Sequence, residues 1–174
     1  MLTLIIGPMF SGKSTELLRQ LERYTIAGKK VILLRPDIDE REFLCHNGRK
    51  VKIEQIMVKN SDFIIKQKYD VFAIDEGQFF EREKLYRFVR DKINKTVLVS
   101  GLIATSELNP FESMISLFPI ADIIIKLSAV CQRCGKDASY TFFKGKKKQD
   151  VLVGSNQYEA RCWDCWNVGN FERE

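Results

Sequence analysis

Short apolar runs and stretches of helical periodicity alternate along the first three quarters of this chain. Leu2 to Ile6 is an unbroken apolar run that stops at Gly7-Pro8, the pattern of a strand buried on both faces entering a turn. Beyond the turn, Leu17, Leu18, Leu21 and either Tyr24 or Thr25 recur at helical spacing, and Gly28 stands where a helix C-cap is expected. Val31 to Leu34, Val71 to Ile74 and Thr96 to Ser100 are three further buried strands, and Ala121 to Leu127 is a fifth apolar run. Between the third and fourth of these strands, Arg82 to Lys92 carries Leu85, Phe88 and Val89 at helical spacing. Residues 35 to 49 are polar and loop-like.

Strands that alternate with helices predict an α/β fold, a parallel sheet flanked by crossover helices, with ligands outside the carboxyl ends of the strands. From Cys131 the pattern changes to short β-like runs, Ser139 to Phe143 and Asp150 to Val153, on either side of a lysine-rich tip. Two units follow, residues 1–128 and residues 129–174.

Gly7-Pro8-Met9-Phe10-Ser11-Gly12-Lys13-Ser14 fits the phosphate-binding pattern G-x-x-x-x-G-K-[ST], between a strand and a helix as that motif requires. Main-chain N–H groups and the helix N-terminus there face an anion, and the natural occupant is a nucleoside triphosphate. Lys13 would neutralise phosphate, and the Ser14 hydroxyl would be a Mg²⁺ ligand. Asp75 and Glu76 close a buried strand with two carboxylates. Asp75 is the candidate to hold Mg²⁺, directly or through water. Glu76 is the candidate general base, its alternative role being to cap or solvate the loop.

Cys131-x-x-Cys134 and Cys162-x-x-Cys165 form two knuckles, the usual four-thiolate set for a structural zinc. Redox-active thiols are the rival reading, for which one pair would suffice. The fifth cysteine, Cys45, is read as a plain thiol, and the single histidine, His46, as a turn residue.

Composition narrows this picture rather than changing it. Apolar residues are 45% and charged residues 29% of 174, which excludes a disordered or collagen-like chain and leaves room for one full-sized core. The first apolar run is too short for a signal peptide or a membrane span, so a cytoplasmic protein without a membrane partner is expected. The formal charge is +5, concentrated partly at Lys144, Lys146, Lys147 and Lys148. No aromatic pattern accompanies these lysines, so a solvated tip is expected rather than a nucleic-acid surface.

The segments GPMFSGKSTEL (from Gly7), DEGQFF (from Asp75), KLSAVCQRC (from Lys126) and YEARCWDC (from Tyr158) together resemble the type II thymidine kinases, the cellular, poxviral and bacterial family. The resemblance spans nearly the whole chain. It implies a P-loop sheet with a small zinc-bound β lid, a lasso that closes over the base. It also implies transfer of the γ-phosphate of Mg²⁺-ATP to the 5′-hydroxyl of thymidine, with Glu76 as base. Gly7, Pro8, Met9, Phe10, Ser11, Gly12, Lys13, Ser14 and Thr15, with Asp75 and Gln78, match the family's ATP-binding positions. Asp39 and Arg41 match its D-x-R loop near the phosphates; on sequence alone they read as a surface ion pair. Met9, Phe79, Leu102, Thr141, Val151 and Tyr158 match positions lining the nucleoside pocket; on sequence alone they read as core or surface packing, with core favoured for Met9, Phe79 and Leu102. A homotetramer and feedback by thymidine triphosphate are family traits that the resemblance also implies.

Two departures stand out in Gly101 to Phe111. The family usually has an aspartate where Ile103 stands and a phenylalanine where Ser106 stands. Losing that ring forfeits a contact worth about 1–3 kcal/mol on the scale of base stacking, and losing the aspartate is expected to disturb hydrogen bonds that order this loop. Three functions therefore compete: a thymidine kinase, a nucleoside kinase with altered base preference, and a catalytically idle nucleotide-binding regulator.

Overall fold

The computed structural model describes residues 1–38, 53–65, 67–145 and 156–171. Six parallel strands form the main sheet: β1 (Leu2–Ile6), β2 (Val31–Pro36), β3 (Glu54–Val58), β4 (Val71–Ile74), β5 (Thr96–Gly101) and β6 (Ile123–Lys126). Their spatial order is β3-β2-β4-β5-β1-β6. The chain leaves β1 for the far side of the sheet and returns through β4 and β5, so the carboxyl ends of β1, β4 and β5 lie side by side.

Helix α1 (Lys13–Ile26) covers one face and α2 (Arg82–Asp91) with the short α3 (Glu112–Ile115) covers the other. Strand alternation assigns each side chain to a layer. Ile5, Leu33, Val71, Ala73 and Leu98 pack with Leu17, Leu18 and Leu21 of α1, while Leu4, Leu34, Phe72, Ile74 and Val99 pack with Leu85, Val89 and Met114. Each such burial contributes roughly 1.5–3 kcal/mol. Helix α1 stops where expected: Gly28 is left-handed (φ 73°), Lys29 N–H donates to Tyr24 O and Gly28 N–H donates to Thr25 O. These two bonds make a Schellman cap.

The predicted parallel α/β sheet is observed, with one strand that periodicity did not reveal. Strand β3 lies at the sheet edge, exposed along most of its length, and so carries no strong apolar pattern. The fifth run shortens to β6, the opposite edge, beside β1.

After β6 the chain builds a smaller layer. Strands β7 (Ala129–Val130) and β8 (Asp137–Ala138) pair antiparallel, as do β9 (Tyr140–Phe143) and β10 (Tyr158–Arg161), and α4 (Trp163–Phe171) follows. The expected run from Ser139 is β9, whereas the run from Asp150 to Val153 lies outside the described residues. Its small core is Ala129, Cys131, Ala138, Ala160 and Cys162. Among the described residues, no helix is long and apolar enough to cross a membrane.

Candidate functional site

Gly7 and Gly12 shape the P-loop for different reasons. A Cβ on Gly7 would lie 2.6 Å from Leu127 O and 2.6 Å from Ser11 Oγ, so the residue is small because β6 and the loop crowd it. Gly12 has open space but adopts φ 80°, a conformation that L side chains disfavour. No side chain caps α1, which leaves its first-turn N–H groups facing the loop, the arrangement that receives an anion. Lys13 is buried inside the loop and its Nζ donates to Pro8 O at 2.7 Å. Thr15 lies exposed on the first turn of α1.

Asp75 continues the alternation of β4 toward the α1 face. It is 1% exposed, and it accepts from Ser14 Oγ at 3.0 Å and from the Ser100 hydroxyl. Burial pushes the Asp75 carboxyl above the usual carboxylate range, and the neighbouring Glu76 charge adds to this. The Ser100 and Ser14 hydroxyls and the Glu76 main-chain N–H oppose the shift. A buried carboxylate held this way, beside the serine that ends the P-loop, is a hard-oxygen site whose charge a divalent cation would compensate.

Glu76 is held differently. Its backbone is left-handed (φ 53°, ψ 48°), a conformation that a non-glycine residue keeps only when its surroundings hold it. Phe79 N–H donates to Glu76 O at 3.0 Å, closing a single 3₁₀ turn, Gly77–Phe79. The Gln78 amide fixes the side chain: its Nε2 donates to Glu76 Oε2, while its Oε1 accepts from Leu102 N–H at 3.0 Å. That second bond sets which end of the amide faces the carboxylate. Gln78 therefore belongs structurally to Glu76 and Leu102, two residues that sequence reading placed in separate roles.

Strand β9 reaches the P-loop directly, since Thr141 Oγ1 accepts from Met9 N–H at 3.0 Å. Tyr158 is buried on β10 opposite Phe143, ring centroids 5.3 Å apart. Phe79 is half-buried in the turn after Glu76. The structure thus brings together Ser14 with Asp75, Met9 with Thr141, and Glu76 with Gln78 and Leu102. Asp39, Arg41, Cys45, His46 and Val151 lie outside the described residues.

The loop after β5 departs from expectation. Ile103 packs against the α2 face of the core, where an aliphatic side chain is well placed. The loop is nevertheless ordered: Phe111 N–H donates to Ile103 O at 2.9 Å and Thr105 N–H to Asn109 O at 2.8 Å. The Thr105 hydroxyl oxygen also accepts from the N–H groups of Glu107 and Asn109. Local bonds from Thr105 supply the order expected to be lost with the aspartate.

Ser100 was missed as a site residue. Its signal was a small polar residue ending the otherwise apolar β5, Val97-Leu98-Val99-Ser100.

The four knuckle sulfurs lie within 4.8 Å of one another, with Cys134 Sγ and Cys162 Sγ 3.6 Å apart. A zinc–sulfur bond of about 2.3 Å implies a tetrahedral edge of about 3.8 Å, so the set fits a zinc ion. Gly135, at φ 78°, turns the first knuckle. Cys165 sits in the first turn of α4, and Trp166 N–H donates to Cys162 O at 2.9 Å. Burial opposes ionisation of Cys131, but main-chain N–H groups of Cys162, Arg133 and Cys134 and the Cys134 thiol hold its thiol down at about 6. Cys165 is pushed up to about 12 by burial and by the neighbouring sulfurs. One ready thiolate that suppresses its neighbour is the electrostatics of a cluster suited to a cation.

A sequence model of the thymidine kinase family matches residues 1–166. The thymidine kinase of Amsacta moorei entomopoxvirus is 39% identical, the match covering 94% of this chain and 96% of that protein. That of the bacterium Pseudothermotoga lettingae is also 39% identical, covering 95% and 94%. The thymidine kinase of Vaccinia virus strain Ankara is 34% identical, covering 94% of each.

Proposed function

This chain belongs to the thymidine kinase family, an ATP-dependent enzyme acting on thymidine, and we propose that Glu76 and Asp75 divide the chemistry between them. The observation that carries the reading is that these consecutive carboxylates have different partners. Asp75 is buried toward α1 and bonded by Ser14 and Ser100, whereas Glu76 has a left-handed backbone and is bonded by Gln78.

The triphosphate would lie on the N-terminus of α1, with Lys13 against its terminal phosphates; Asp39 and Arg41, which match the family's D-x-R, are proposed to serve the phosphates as well. Ser14 and Asp75 are the residues that would hold Mg²⁺, which would supply positive charge against that of the phosphates. Glu76 takes the proton from the 5′-hydroxyl as that oxygen bonds to the γ-phosphorus, and the β–γ bridging oxygen leaves with ADP. Gln78 orients the base, and Met9, Phe79, Leu102, Thr141, Val151 and Tyr158 hold the nucleoside. Thymidine monophosphate is the product. A phosphoryl-transfer assay across a panel of nucleosides tests this: thymidine should be the preferred acceptor, and no turnover with any nucleoside would sink the reading.

One observation favours a second reading, a kinase of altered base preference. The residue at the ring position is Ser106, and no aromatic side chain stands there. Turnover of another nucleoside at higher kcat/KM than thymidine, in the same panel, would establish it.

A structural zinc on Cys131, Cys134, Cys162 and Cys165 is proposed to build residues 129–174 into a lid over the pocket of residues 1–128. Purified protein should carry about one zinc per chain. A metal-free chain with a folded lid would refute the assignment. A homotetramer is proposed on the family resemblance, supported by the edge of β6, unpaired among the described residues, with its exposed Ile123 and Ile124; a monomer in sedimentation would exclude it. Feedback by thymidine triphosphate rests on the resemblance and is tested by inhibition of turnover. The proposed location is cytoplasmic, where the four thiols would stay reduced; a chain recovered only from secreted material would refute this.

A further inference from the structure

The loop from Leu102 to Phe111 is fastened at two points to parts of the molecule far away in sequence. At its start, Leu102 N–H is held by Gln78, which also holds Glu76. Near its tip, Ser106 O accepts from Trp166 Nε1–H at 3.2 Å, across 60 residues of chain. Trp166 follows Cys165 directly, so the indole that grips the loop is carried by the helix that carries a knuckle.

The indole is itself braced. It stacks on Trp163 with centroids 5.5 Å apart and rings 14° from parallel, and it lies 6.0 Å from Tyr140. Tyr140 precedes Thr141, which bonds the P-loop at Met9. Arg161 ties the base of the same helix, donating to Cys165 O at 3.2 Å while its guanidinium lies over Phe142. The position of the indole is therefore fixed by the cysteine unit and not by the loop it holds.

Resting on the nucleoside-kinase reading above, we infer that Trp166 is a specificity-determining positioning residue. Its indole N–H sets how closely the segment from Leu102 to Ser106 approaches the base, and it links that approach to occupation of the cysteine cluster. A main-chain carbonyl held by a rigid donor replaces part of the order that a packed ring at position 106 would supply. The indole touches neither phosphates nor acceptor hydroxyl in this role, so it bears on KM for the nucleoside rather than on kcat.

The chain has two tryptophans, both in this cluster, which makes the inference readable in two independent ways. Trp166→Phe keeps the ring and removes the donor. It should raise KM for the nucleoside about three- to tenfold, the value of one lost hydrogen bond, with kcat and KM for ATP held and metal content unchanged. Trp163→Phe, which keeps an aromatic ring beside Trp166 and removes no bond to the loop, should raise the nucleoside KM less than Trp166→Phe does and leave kcat and KM for ATP as they were. In that Trp163→Phe protein Trp166 is the sole tryptophan, and its selectively excited fluorescence should change when nucleoside is added without ATP and cease to respond once a chelator has removed the metal.

An unchanged nucleoside KM in a folded Trp166→Phe enzyme would overturn the inference. So would emission in the Trp163→Phe protein that ignores saturating nucleoside, and this arm holds even if Trp166→Phe fails to fold. Failure of the underlying reading is seen separately, as absence of turnover in the unmodified chain.

Discussion

Glu76→Gln should lower kcat by about 10²- to 10⁴-fold, the usual contribution of a positioned general base, with ATP binding and thermal stability retained. The substitution keeps the shape of the side chain and removes only its ability to accept a proton. The strain at φ 53° is unaltered, because glutamine meets the same steric limits there as glutamate. A glutamine also leaves the 3₁₀ turn intact, since that turn is closed by main-chain atoms, Phe79 N–H to Glu76 O. The loss should therefore fall on kcat and leave KM for ATP close to its original value. Gln78→Leu should reproduce part of it, because the carboxylate then loses the donor that orients it. Single-turnover phosphoryl transfer, with a melting curve on each variant, decides the matter. A Glu76→Gln enzyme with ordinary turnover would end the assignment of this residue as base.

Asp75→Asn is expected to cost activity and to gain stability. The raised position of this carboxyl means that its ionised form is less favourable in the folded chain than in the unfolded one. The sign follows from proton linkage. Between the ordinary aspartate range and the raised folded value the folded state binds more protons, so stability falls as pH rises through that window. Above the window the full penalty persists; below it the penalty is absent. Asparagine carries no charge, and its amide still meets the Ser14 and Ser100 hydroxyls, so in the absence of nucleotide the variant should melt no lower than the parent at neutral pH.

With Mg²⁺-ATP the order should reverse. The parent is stabilised by the ligand, whereas the variant has lost a carboxylate from the metal site and gains less. Turnover should fall on the order of 10²- to 10³-fold, the worth of several kcal/mol of charge stabilisation by a metal ion. Melting curves against pH, with and without Mg²⁺-ATP, measure both halves. A variant less stable than the parent without nucleotide, yet as active, would contradict both.

The two carboxylates also show where sequence reading stopped. The run Val71 to Glu76 places a strand end beside two acids; strand neighbours point to opposite faces, yet at a strand end both side chains can reach the cleft. It does not say which neighbour each one meets. Asp75 meets Ser100 because β5 lies directly beside β4, and it meets Ser14 because the P-loop strand is one place further on. Gln78 matches an ATP-binding position by its place in DEGQFF, and the fold adds contacts to Glu76 and Leu102 that the motif does not reveal. Leu102 comes within reach because β5 lies beside β4 and the Gly77–Phe79 turn follows the end of β4.

Ile103 and Trp166 tell the same story for the loops. At position 103 a missing aspartate implied a loosened loop. In the fold, Thr105 bonds the turn locally and Ile103 joins the core. Trp166 had no signal at all, since an indole beside a cysteine knuckle has no periodicity to read. Its partner, a main-chain carbonyl, is invisible in sequence because every residue has one.

The amino-acid sequence by itself determined what depends on near neighbours along the chain. These are the buried strands from apolar runs, α1 with its Gly28 cap, the phosphate loop from glycine spacing, the paired cysteines, and the identity of the acids that can hold metal or proton. Tertiary structure alone decided what depends on which strands lie together. It set the order β3-β2-β4-β5-β1-β6, the burial that raises Asp75, the Gln78 clamp on Glu76, and the indole that ties the cysteine unit to the loop at Ser106. The physical reason is range: backbone preference and side-chain period act over a few residues, whereas these contacts join positions brought together by sheet order and by the packing of two hydrophobic layers.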